Sequence, residues 1–216
     1  MLPAIFIYII VFLCGIVIGT FLKKVIYCIF LKENKVTIGR CPVVEMLNGI
    51  LYLVILHRYG MNTDFLIYCL LFSALLTLSV IDFRTYEIPV GINVFILMLG
   101  LIRILTDWSN WKDYLIGFLV VSIFLYAIYI VTCGQGIGGG DVKLRAVCGL
   151  VLGWKRIVLG FLLGCIIGSV CHLIRMRLSD ADHVLAMGPY LSVGIMIATL
   201  WGNQMIDWYI ALCLGM

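Results

Sequence analysis

Two aspartates are the residues in this chain whose types and settings could do chemistry. Asp82 closes an apolar run and is followed by Phe83-Arg84; Asp141 ends a glycine-dense stretch, Gln135-Gly136-Ile137-Gly138-Gly139-Gly140-Asp141, with Lys143 and Arg145 behind it. An ionisable side chain at membrane depth is costly and is by default a functional candidate. Two carboxylates that share a site cannot both ionise easily, so one proton is held between them, leaving one base and one acid. Such a pair can activate a water: the ionised acid takes its proton while the neutral one polarises a carbonyl. It titrates as a unit, so the residues alone do not say which aspartate is the base. Glycine costs roughly 1 kcal/mol per position in a helix. The run is therefore expected to be a turn or a place of close backbone packing, with Gly138 and Gly140 clearing space beside the acid.

Blander readings stand beside this one. Asp82 next to Arg84 also suits a solvated helix end, and a glycine loop also suits a packing turn. Gly134-x-Gly136-x-x-Gly139 matches the dinucleotide fingerprint formally, but no strand precedes it and no βαβ unit surrounds it. The chain has no Walker lysine, no Gly-x-Ser-x-Gly and no His-Glu-x-x-His. Its nine cysteines form no Cys-x-x-Cys pair and fall mostly in apolar runs. They read as small buried hydrophobes rather than as a zinc site or a disulfide framework. His172 and His183 show no partner spacing and read as helix-end residues.

The elements that must position the acids follow from composition. Hydrophobic residues make up 64% and charged residues 12% of the 216 positions, against roughly 45–50% and 25% in a soluble domain. Apolar runs at about 4–22, 42–56, 65–81, 90–105, 114–133, 142–154, 157–174 and 189–201 or further approach the ~20 residues that span a bilayer. The expected fold is all-α, a polytopic membrane bundle of about eight helices. The second and sixth runs are short enough to allow six or seven. One domain, 1–216, with a short loop at 32–41 is expected. The first run has neither a basic flank before it nor a small-residue cleavage site, so it reads as a retained helix rather than a signal peptide. Nucleic acid is not expected as a partner, because no basic cluster is interleaved with exposed aromatics.

Charge placement orients the bundle. With eight spans and the N-terminus outside, ten cations (Lys23, Lys24, Lys32, Lys35, Arg40, Arg84, Lys143, Arg145, Arg175, Arg177) fall inside and four (Arg58, Lys112, Lys155, Arg156) outside. That is the sense of the positive-inside rule. Asp82 and Asp141 then lie at one depth, on the cytoplasmic side.

Gly138-Gly139-Gly140-Asp141 resembles the Gly-x-Gly-Asp signature of intramembrane aspartyl proteases, and the wider context resembles the type IV prepilin peptidases. Their second aspartate lies in a run like Gly136 to Leu144 here, and their first precedes an Ile-Pro, as Asp82 precedes Ile88-Pro89. Gly149-Leu150-Val151-Leu152-Gly153-Trp154 is similar to the family's Gly-x-x-Leu-Gly-Trp. Met187-Gly188-Pro189-Tyr190-Leu191 is similar to its Phe-Gly-Pro-Phe-Leu, and the stretch from Cys41 to Gly49 to its Tyr-Pro-Leu-Val-Glu-Leu-Leu-Thr-Gly. Gly15 to Tyr27 is similar to its first helix.

The resemblance implies an aspartic endopeptidase with Asp82 and Asp141 catalytic, and Gly138, Gly140, Lys143 and Pro189 in the loop and substrate contacts. It implies a bacterial inner membrane location, a cytoplasmic site, and prepilin or pseudopilin precursors as partners beside the lipid bilayer. Because the leader of such a substrate is basic, Glu33, Glu45, Glu87, Asp180 and Asp182 suit its contact better than the inner cations do. Many members carry two Cys-x-x-Cys pairs, apparently for zinc, in a large loop that is associated with methylation by S-adenosylmethionine. Here that region shrinks to a few residues and both pairs are missing. Peptidase activity needs no cofactor, zinc is not expected, and S-adenosylmethionine enters only if methylation is retained. Val90 replaces a frequent acid, and Lys23-Lys24 a polar uncharged residue. A second reading, a proton-coupled transporter with Asp82 and Asp141 as relay acids, expects paired halves with matched broken helices. No convincing repeat relates 1–108 to 109–216.

Overall fold

The computed structural model describes residues 2–32, 42–133, 138–178 and 186–214. Among the described residues the chain is helical throughout, without a strand. In order the helices are α1 (Leu2–Lys32), α2 (Val43–Tyr59), α3 (Thr63–Thr85), α4 (Val90–Thr106), α5 (Trp111–Val131), α6 (Gly139–Leu152), α7 (Trp154–Leu178) and α8 (Gly188–Leu214), with one 3-10 turn at Trp108–Asn110. Glu33, Cys41, Gly134, Gly136, Asp180, Asp182, His183 and nearly all of the 32–41 loop lie outside the described residues.

The all-α polytopic membrane bundle expected from composition is the observed architecture. Four segments, Ile5–Cys28, Thr63–Thr85, Trp108–Val131 and Trp154–Arg177, are long and apolar enough to cross a bilayer. Val90–Thr106 is apolar but shorter. Helix α6 has 14 residues, so it rises about 21 Å against a hydrocarbon core of about 30 Å. Its length falls short of a full crossing. Helix ends overrun the apolar runs: α1 continues through Lys23-Lys24 to Lys32, α3 to Thr85 and α7 to Leu178, while α8 runs on through Asn203 to Leu214. The backbone ladder needs no apolar side chains to continue; the apolar run marks only the part that lipid can cover.

Burial separates the long helices by role. The apolar windows of α1, α5 and α7 are 17%, 22% and 22% buried within the chain, whereas that of α3 is 72% buried. Helices apolar all round but exposed suit a lipid environment. Helix α3 is instead a core element, with Tyr68, Leu71, Phe72, Leu75 and Leu78 fully enclosed.

By internal contacts the chain divides into two compact units, Met1–Ile81 and Asp82–Met216. In the first, Asn48 Nδ2 donates to the Gly15 carbonyl at 2.8 Å, Ser73 Oγ donates to Asn48 Oδ1 at 3.0 Å, and the Tyr52 hydroxyl lies 2.9 Å from Ser73 Oγ. Buried polar groups without water must find such partners. In the second, α5 and α6 touch backbone to backbone at Gly117 and Gly149: a Cβ on either would run into the other's carbonyl. Small residues that let helices approach closely are the usual solution where lipid removes the hydrophobic drive for association. Helices α7 and α8 use Gly160, Gly164 and Gly194 in the same way.

Candidate active site

The second unit contains both aspartates. Asp82 sits in the last turn of α3 with 5% of its surface exposed. The helix stops four residues later at Tyr86, whose φ of +56° is left-handed and whose N–H still donates to the Asp82 carbonyl at 2.9 Å. A side chain in that region costs roughly 1–2 kcal/mol, and such strain gathers at functional sites. Asp82 Oδ2 accepts the backbone N–H of Gly188 at 2.8 Å. Gly188 opens α8 and is followed by Pro189 in its first turn, where proline's missing N–H costs nothing.

Asp141 sits in the first turn of α6. Gly138 is the N-cap, with φ −67° and ψ 135°, and the Asp141 N–H donates to its carbonyl at 3.0 Å. A carboxylate there meets the positive end of the helix dipole. The structure corrects the sequence reading of the glycines at this point. Gly139 and Gly140 are helical, and none of 138–140 has a positive φ. A first turn still has free N–H groups and tolerates weak helix formers, so propensity did not decide it. Their use is proximity. A Cβ on Gly140 would lie 3.1 Å from that of Ile88, whereas one on Gly138 would stand 3.6 Å from Asp141 Oδ2, in ordinary contact.

These pieces enclose one cavity of about 370 Å³, lined by Asp82 and the turn 86–88 on one side and by 138–141 on the other. Asp141 Oδ1 is buried and has no hydrogen-bond partner among the described residues. Asp141 lies outside the four crossing segments. Burial pushes its carboxyl up to about 6; the Arg145 guanidinium, one turn along, pulls it down, and the Asp82 carboxylate pushes it up. The charge of one aspartate thus acts on the other across the shared cavity.

The remaining expected residues are placed as follows. Gly138 and Gly140 line the cavity with the aspartates. Lys143 is exposed, and two positions on from Asp141 it does not share that residue's helix face. Pro189 is half-buried beside Gly188. Glu87 lines the cavity, while Glu45 is paired with Lys23 at 2.9 Å in the other unit. Among the described residues, no three His, Cys, Asp or Glu are grouped to hold a metal. Sequence reasoning missed Gly188, Tyr86 and the burial of Arg145. The Gly-Pro pair at the start of α8 was the available signal for the first.

The fold and this pair of acids define a polytopic helical membrane protein with an aspartate-lined cavity. Residues 69–173, which include both aspartates, match the type IV leader peptidase family. The chain is 34% identical over 172 residues to a prepilin leader peptidase/N-methyltransferase of Pseudomonas putida, covering 76% of this chain and 60% of that one. It is 30% identical over 178 residues to the protein so named in Bacillus subtilis, covering 81% and 71%. A third, from Legionella pneumophila, is 29% identical over 178 residues, covering 79% and 62%. The chain belongs to the type IV leader peptidase family. It spans about 60% of the length of the Pseudomonas and Legionella relatives. No solved structure matches it.

Proposed function

We propose that this chain is a membrane aspartyl endopeptidase that removes the leader of type IV prepilins or pseudopilins at the cytoplasmic face of the bacterial inner membrane. The observation that carries the proposal is the sharing of one cavity of about 370 Å³ by Asp82 and Asp141. With one proton between them, the ionised aspartate takes a proton from water and the hydroxyl oxygen bonds to the scissile carbonyl carbon. The protonated aspartate donates to the carbonyl oxygen, and the C–N bond then breaks as its nitrogen takes up a proton. Gly188 fixes Asp82 through its N–H, and Glu87 offers a negative charge on the wall where a basic leader would enter. Lys143, exposed on α6, and Pro189, in the first turn of α8, serve the surrounding loop contacts rather than proton transfer.

Peptide cleavage in this scheme requires no cofactor. Methylation would bring in S-adenosylmethionine, and no residue is assigned to it here, because the 33–41 segment lies outside the described residues.

Co-expression with a prepilin tests the reading. Wild type is expected to process the precursor, while Asp82→Asn and Asp141→Asn, nearly isosteric but unable to exchange the proton, are expected not to. Processing at the wild-type rate by either variant overturns the assignment. Mass spectrometry of the product's N-terminus decides methylation directly.

A further inference from the structure

We infer that Arg145 is a positioning residue for the aspartate pair: buried one helical turn after Asp141, its guanidinium favours the anionic form of that carboxyl. The inference rests on the proposed aspartyl chemistry and adds a charged partner for one of its two acids.

The geometry is unusual for an arginine. Arg145 has 2% of its surface exposed, and its Nε and Nη1 have no hydrogen-bond partner among the described residues. Removing a guanidinium from water costs several kcal/mol, so the fold must compensate the charge. Positions 141 and 145 lie on one face of α6. The carboxylate there presents a buried oxygen, Oδ1, that likewise has no partner among the described residues. From α7 the Phe161 ring sits 4.6 Å from Arg145 Cζ, a cation–π contact that fixes the guanidinium from its other side.

Among the described residues, the cavity that holds the pair is lined by no cation. Asp82 faces Asp141 from the end of α3, and Glu87 faces the cavity from the turn after it. Tyr129 of α5 lies beside Gly139, and the Cys148 and Cys165 thiols lie near the guanidinium. Arg145 acts on Asp141 in the lowering direction, against burial and against Asp82. Asp82 has instead a neutral donor, the Gly188 N–H.

The test is an infrared titration of the full chain in detergent micelles, following the carboxyl C=O band assigned by its loss in Asp141→Asn. Arg145→Met and Arg145→Gln remove the charge, the second while keeping a hydrogen-bond donor; Arg145→Lys keeps the charge. Losing a cation disfavours the anion, so the Asp141 midpoint should rise by about 1–3 pH units in both neutral variants. It should stay near wild type in Arg145→Lys and in Lys155→Met, a charge control at an exposed site. In prepilin cleavage, the acid limb of the pH profile should move the same way. An unchanged midpoint in Arg145→Met and Arg145→Gln overturns the inference even where cleavage proves the peptidase. A shifted midpoint in a chain that cleaves no prepilin upholds the charge-holding role and sinks the peptidase reading instead.

Discussion

Gly188 donates its backbone N–H to Asp82 Oδ2 at 2.8 Å, and a Cβ built on Gly188 would stand 2.7 Å from that same oxygen. The glycine is thus both the hydrogen-bond partner of the acid and the reason it fits. The start of α8 and the end of α3 meet through a contact that admits no side chain. In Gly188→Ala the Asp82 carboxylate must move, because the new methyl would stand within 3.0 Å of its Oδ2, Cγ and Cβ. Misplacing a catalytic group by about 1 Å costs on the order of 100-fold. Prepilin cleavage should therefore fall by roughly 10- to 100-fold in this variant, while circular dichroism shows the helices intact. Wild-type kinetics would mean that the Gly188 contact does not position the acid.

Asp82→Asn makes a second prediction, independent of turnover. The Asp82 carboxylate raises the Asp141 pKa, which stands at about 6. Taking away the negative neighbour favours the anion at Asp141, so its midpoint should fall below that of wild type. The carboxyl infrared band of Asp141, titrated in the Asp82→Asn background, reads the change. A midpoint that stays or rises would show that the two acids do not sense one another.

Packing of the second unit depends on the α5–α6 crossing. Gly149→Ala places a methyl group against the Gly117 carbonyl, and the two helices must separate. Overpacking of this kind costs typically 1–3 kcal/mol. The variant should unfold at a lower temperature or lower SDS fraction than wild type. Gly91→Ala, whose new Cβ would meet nothing within 4 Å, should not.

What the sequence made legible was periodicity-free apolar length and the identity of two costly acids. Both survive in the structure, because a bilayer imposes length and cost on every residue independently of tertiary detail. Asp82 and Asp141 line one cavity. The glycine run was read less well: its residues looked unfit for a helix, yet 139 and 140 open one. Their closeness to Ile88 could not be seen in a sequence where the two stretches lie some fifty positions apart. Arg145 was legible only as a cation for topology, since its burial depends on how α6 and α7 pack. The Gly188 contact joins residues 106 apart in the chain and left no local trace beyond a Gly-Pro helix start.

The buried polar groups of α2 carry a consequence for how the chain enters the membrane. This helix is not among the segments long and apolar enough to cross alone, and it holds Glu45 and Asn48 in its interior. Their partners, Lys23 and the Gly15 carbonyl, are both on α1. An isolated α2 emerging from the translocon would carry an uncompensated carboxylate and amide into lipid. The polar groups of α2 are thus compensated only where α1 lies against it, so the two helices suit the bilayer as a pair rather than singly.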